Sequence, residues 1–85
     1  MAYKLEFRPS AEREFDKLSA DIQARLRPKI DALASNPRPS GCKKLAGMQD
    51  LYRIRVGDYR IIYEIRDKVL LVLIVKIGHR GSVYE

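Results

Sequence analysis

LYRIRVGDYRIIYEIR, residues 51–66, decides how this chain folds, because apolar and charged residues alternate along it on both sides of Gly57-Asp58. A two-residue connection with glycine first suits a type II′ turn and an antiparallel hairpin. The register that follows sets Val56 opposite Tyr59, Arg55 opposite Arg60, Ile54 opposite Ile61, Arg53 opposite Ile62 and Tyr52 opposite Tyr63. Period-2 alternation then sorts the faces. Tyr52, Ile54, Val56, Tyr59, Ile61 and Tyr63 form a core layer, and Arg53, Arg55 and Arg60 occupy the other face. Like charges directly opposite on a sheet cost a few tenths to about 1 kcal/mol, so Arg55 facing Arg60 is unfavourable unless an anion lies between them. Three planar, multi-donor guanidiniums on one patch of rigid sheet suit a phosphate better than water. The competing reading is that they are ordinary solvated arginines of a basic domain.

The whole chain bounds the rest. Its 85 residues make a single domain, 1–85, which buries roughly 60–65% of its unfolded surface and has modest stability. Lys and Arg number 17 against 11 Asp and Glu, a net charge of +6. That balance favours an anionic partner: nucleic acid, an acidic protein or an anionic lipid surface. One cysteine, Cys42, and one histidine, His79, leave neither an intramolecular disulfide nor a zinc set, and they suit a reducing, cytoplasmic compartment. No metal or small-molecule cofactor is expected. The start, MAYKLEFRPS, lacks the apolar core of a signal peptide. The apolar run Val69 to Val75 is far short of the roughly 20 residues that span a bilayer, so no membrane partner is expected.

Before the hairpin, Tyr3 to Phe7 alternates strictly and predicts a first strand, ended by Pro9. Ser10 is placed to cap a short helix carrying Ala11, Phe15 and Leu18. Ser19 is placed to cap a longer one with the stripe Ile22, Leu26, Ile30 and Leu33. Pro28 falls inside that stripe and predicts a kink rather than two helices. Asn36 to Gly41 is a proline-broken loop, and Lys43 and Lys44 after it are either phosphate contacts or solubilising charges. Asp67-Lys68 reads as another tight turn. The run Val69 to Val75, without alternation, predicts a central strand buried on both faces.

The expected fold is therefore α+β: an N-terminal strand, a two-helix hairpin, then a three-stranded antiparallel meander, all in one sheet with the helices on one face. On the open face Ile62, Leu71, Leu73 and Val75 would floor a groove rimmed by the arginines, fit for a stacked base and its flanking phosphates. The tail, Gly78 to Glu85, adds His79, Arg80 and Tyr84.

This order of elements, with KKLAGMQDLYRIRVGDYRIIYEI and the ending VKIGHRGSVYE, resembles the RelE/ParE superfamily of toxins from prokaryotic toxin–antitoxin pairs, and the RelE branch more closely. The resemblance covers essentially the whole chain. It implies an mRNA interferase, a metal-independent endoribonuclease that enters the ribosomal A site and cuts mRNA there, with the message's own 2′-hydroxyl attacking the adjacent phosphate. It implies a catalytic set of Arg53, Arg55, Arg60, Arg80 and Tyr84, RNA contacts at Lys43, Lys44 and His79, and a cognate RelB-like antitoxin as partner. Familiar members often carry lysines where this chain has Arg53 and Arg55; if a lysine there takes part in proton transfer, this chain must divide the roles differently.

Such a reaction needs in-line geometry, a proton acceptor for O2′, charge neutralisation on the phosphorane and a proton for O5′. Fixed arginines supply the electrostatic part. A guanidinium cannot serve as an efficient base. Tyr84 is the first candidate for that role, because neighbouring guanidiniums favour phenolate, and His79 is the second. Two other function classes stay open: a ParE-like DNA gyrase poison without nuclease chemistry, and a non-catalytic RNA-binding module.

Overall fold

The computed structural model describes residues 2–45, 47 and 50–79. Its centre is the expected hairpin, β3 (Leu51–Val56) and β4 (Tyr59–Arg66), in the register given above, with Leu51 added opposite Glu64. Gly57 opens the turn at φ 61°, a backbone conformation that side chains disfavour. Ile54, Ile61, Tyr63 and Ile65 are buried toward the helices, with Tyr52, Val56 and Tyr59 packed at the margin.

Among the described residues five strands make the sheet, in the order β1-β5-β4-β3-β2. β1 (Lys4–Phe7) is an edge strand parallel to β5 (Leu71–His79), and β2 (Lys43–Lys44) is a two-residue strand along β3. β2 is an addition to the expected four strands, and the central strand is β4 rather than the apolar run. That run divides: Val69 ends a 3₁₀ turn (Asp67–Val69), 65% exposed, and Leu70 is left-handed at φ 52°. Within β5, Val72, Ile74 and Ile77 are buried, whereas Leu71, Leu73 and Val75 are half-buried. The expectation of burial on both faces fails because the helices cover only one side of the sheet. An irregularity between Ile62 and Tyr63 pairs Ile62 with Lys76 but Tyr63 with Ile74, so Val75 is the extra residue of a bulge.

The helices follow from local rules. α1 (Pro9–Asp16) begins at Pro9 itself, with Arg8 as N-cap and no side-chain cap. Ser10 therefore does not cap it, since a fixed φ and a missing N–H make proline suited to the first helical position. α2 (Ala20–Ala32) is capped as expected, with Ser19 Oγ accepting from the Ile22 N–H at 3.4 Å, and it runs through Pro28 as one element. Leu26, Ile30 and Leu33 are buried against the sheet. Gln23 Nε2 joins the two helices by donating to the Phe15 and Leu18 carbonyls at 3.0 and 3.2 Å.

β1 pairs with β5 only as far as Ile74, which leaves the rest of that edge to α1. Glu14 fills the gap: one carboxylate oxygen accepts from the Ile77 N–H at 2.9 Å and the other pairs with Lys76 Nζ at 3.1 Å. Removing that acceptor strands a partly buried N–H. Glu14→Ala is expected to cost about 1–3 kcal/mol in urea unfolding, and Glu14→Gln, which keeps an acceptor, to recover most of it. Equal losses in both variants would assign the effect to charge instead.

Candidate functional site

The register places the cations. On the face away from the helices one row runs Lys43 (β2), Arg53 (β3), Ile62 (β4), and the next runs Arg55 (β3), Arg60 (β4), Gly78 (β5). Lys43 thus joins the three arginines, whereas Lys44 is opposite Tyr52 and shares that residue's face. Gly78 beside Arg60 contributes no side chain, so β5 does not fill the patch at its centre.

Burial distinguishes the arginines. Arg53 and Arg60 are only 4% and 5% exposed, while Arg55 is exposed. Two arginines of the patch are therefore buried, and the third, on the strand beside Arg60, is exposed. Next to them Leu45 and Ile62 form a small second core, with Leu51 and Val75 packed against it. This is the apolar floor, and it differs from the expected one. Ile62 and Val75 remain, but Leu71 pairs with Arg66 and Lys4, and Leu73 with Glu64 and Glu6, which puts both toward the other end of the face. Leu45 and Leu51 take their places. At that far end Glu64 pairs with Arg66 at 2.9 Å, so the positive potential is concentrated beside Ile62.

The arginines sit on paired strands rather than on loops, which holds their donors fixed. Donors aimed in advance at an anion cost no reorganisation when charge develops on it, and this gives such a patch catalytic as well as binding capacity.

The tail residues divide. His79 is opposite Tyr59, edge-on to its ring at 5.2 Å and 89°, at the arginine end of the sheet but on the face of Tyr59. Arg80 and Tyr84 lie outside the described residues. Among the described residues no three His, Cys, Asp or Glu side chains group to hold a metal ion. Among the described residues, likewise, no helix is long and apolar enough to cross a membrane. Leu45, Leu51 and Gly78 are the site residues that the sequence reading missed. Their placement depends on the pairing of β2 and on the bulge in β5, and neither leaves a sequence signal.

Residues 5–84 match the family model described as the ParE toxin of a type II toxin–antitoxin system, parDE. The chain is similar over its whole length to the mRNA interferase toxin RelE of Escherichia coli, with 33% identity over 89 residues and 93% of that protein covered. It is 28% identical over 86 residues to the toxin RelG of Mycobacterium tuberculosis, covering 99% of it. Among solved structures, the isolated E. coli RelE toxin superimposes with a TM-score of 0.84 at 30% identity, over 96% of this chain and 88% of that one. The RelE of the archaeal RelE–RelB complex from Pyrococcus horikoshii gives 0.83 at 31% identity, over 98% and 100%. A shared sheet, helix pair and full-length sequence match leave one placement: the chain belongs to the RelE/ParE family of toxins of type II toxin–antitoxin systems.

Proposed function

We propose that this chain is a toxin that acts in the cytoplasm as a ribosome-dependent mRNA interferase, cutting the message in the A site without a metal ion. The observation that carries this reading is the cluster of Lys43, Arg53, Arg55 and Arg60 around the Leu45–Ile62 floor on one face of a rigid sheet. A base stacks on the floor, and the guanidiniums take the scissile phosphate. Attack of O2′ on that phosphorus forms the P–O2′ bond and breaks the P–O5′ bond, leaving a 2′,3′-cyclic phosphate and a 5′-hydroxyl.

Arg53 and Arg60, held in the sheet, neutralise charge on the phosphorane, and Arg55 and Lys43 orient the flanking backbone. Arg80 and Tyr84 complete the set from the tail, with Tyr84 accepting the O2′ proton and solvent water supplying the proton that O5′ takes up as it leaves. His79, on the face of Tyr59, contacts RNA beyond the reacting phosphate, and Lys44 adds a phosphate contact at the sheet edge. The names of the curated relatives support cleavage of mRNA over the gyrase reading.

The partner in the cell is a RelB-like antitoxin, as in the solved complexes of the archaeal and E. coli relatives. It covers or adjoins the arginine face, or displaces the tail.

The test is primer extension on a defined message in a translating extract, with wild type beside Arg80→Ala and Tyr84→Phe. Cuts within A-site codons that disappear in both variants are expected. Intact message with translation stopped would replace the nuclease by a ribosome-binding module. Intact message with normal translation would move the activity to gyrase.

A further inference from the structure

β2 covers the edge of β3 only at Tyr52 and Arg53. Beyond it, Lys29 of α2 and Pro39 and Ser40 of the following loop close over Ile54, Arg55 and Val56 and leave a cavity of about 220 Å³. The lining thus includes a cationic residue from the helix, Lys29, and one from the strand, Arg55. Lys29 is exposed and has no acidic partner among the described residues, whereas Arg27 on the same helix pairs with Asp31 at 3.1 Å. One turn before Lys29, Arg25 reaches the hairpin turn, its Nη1 3.7 Å from where a Cβ on Gly57 would stand. Arg25 and Lys29 thus continue the positive charge of the arginine face around the edge of β3 and onto α2.

We propose that Lys29, Arg55 and Ser40 form a second phosphate subsite, which holds the RNA backbone where the strand leaves the arginine face. The inference rests on the interferase reading and adds the path of the RNA to it. Arg55 belongs to both places, standing on the outer face opposite Arg60 and lining this cavity. A strand bound at one therefore meets the other without a gap in charge. The Ser40 hydroxyl and the two cations can donate to the two free oxygens of a phosphodiester, and Pro39, Ile54 and Val56 offer an apolar wall to the adjoining ribose. Backbone contacts of this kind position a strand without reading its sequence.

The test is fluorescence anisotropy with two 2′-O-methyl RNA oligonucleotides, a trinucleotide and a nonanucleotide, titrated against salt. Neutralising one phosphate of a single strand contributes about 0.7 to the slope of log K on log salt. Lys29→Ala is expected to lower the nonanucleotide slope by about that amount and to leave the trinucleotide slope as in wild type. Lys29→Arg is expected to restore it.

An unchanged nonanucleotide slope in Lys29→Ala would overturn the subsite, as would equal losses for both oligonucleotides. So would loss of antitoxin binding with the RNA slope intact, which would assign the cavity to the acidic partner. If wild type binds neither oligonucleotide at low salt the subsite also fails, while the interferase reading is still judged separately by primer extension.

Discussion

Arg60→Gln is expected to lower cleavage of A-site mRNA by about 10²–10³-fold, the loss typical of one preorganised donor to a developing anion. Arg60 lies on the central strand, between Arg55 on β3 and Gly78 on β5, and is only 5% exposed. Its neighbours cannot replace it. Arg55 stands exposed on the adjacent strand, and glycine has nothing to offer. Glutamine is one methylene shorter but keeps a planar polar end and removes the charge, so the urea midpoint is needed to show that β4 still packs. Arg60→Lys keeps the charge as a point without the planar fork, and should recover only part of the rate.

The measurement is single-turnover cleavage on a programmed ribosome, with a urea midpoint for each variant to separate chemistry from folding. A full rate in Arg60→Gln would remove Arg60 from the site and leave the patch a binding surface. A loss confined to the half-saturating concentration, with the saturated rate intact, would make it a docking contact.

The hairpin was legible because each of its constraints agreed with the others. Gly57-Asp58 fixed the loop length, the loop length fixed the register, and the alternation in LYRIRV and YRIIYEI admitted one choice of face. The charge cluster followed from that register alone. The run VLLVLIV carried no such information. Seven apolar residues in a row set no face, and the bulge at Val75 and the parallel partner β1 are decided by tertiary packing. The floor was misassigned for the same reason. Without the register of β5, nothing in the run tells that Leu71 and Leu73 lie opposite Arg66 and Glu64 rather than beside the arginine cluster.

Lys43 and Lys44 illustrate a finer limit. Adjacent in sequence and identical in type, they are separated by the pleat of β2: Lys43 is opposite Arg53, and Lys44 opposite Tyr52. His79 follows the same rule: its register partner is Tyr59, which places it on that residue's face, and neighbours in the chain do not reveal this. Burial was also beyond the sequence. An Arg at an alternating strand position reads as exposed, and only the assembled sheet sets Arg53 and Arg60 into it.

Tyr63→Ala is expected to cost about 3–5 kcal/mol, a large share of the stability of a domain this small. Tyr63 is fully buried on β4, beside the bulge. Its ring stacks on Tyr52 at 6.0 Å, and its hydroxyl donates to the Pro37 carbonyl at 2.7 Å. Tyr52 in turn lies under the Arg38 guanidinium, 5.2 Å from the ring centre, and Arg38 pairs with Asp67 at 2.9 Å, holding that carboxyl below its ordinary value. One phenol thus anchors the loop that leads to Pro39, Ser40 and Lys43. Tyr63→Phe keeps the ring and loses the donor, for about 1 kcal/mol.

Burial, with Cys42 nearby, pushes the Tyr63 phenol above its usual value of 10.0. The native state therefore keeps the proton where the unfolded chain gives it up. Stability from this group is whole below pH 10 and declines as pH rises beyond it. Urea midpoints between pH 7 and 11 should fall more steeply in wild type than in Tyr63→Phe. Parallel curves would mean that alkaline loss comes from other groups, and a neutral Tyr63→Phe at pH 7 would mean that the Pro37 carbonyl finds another donor.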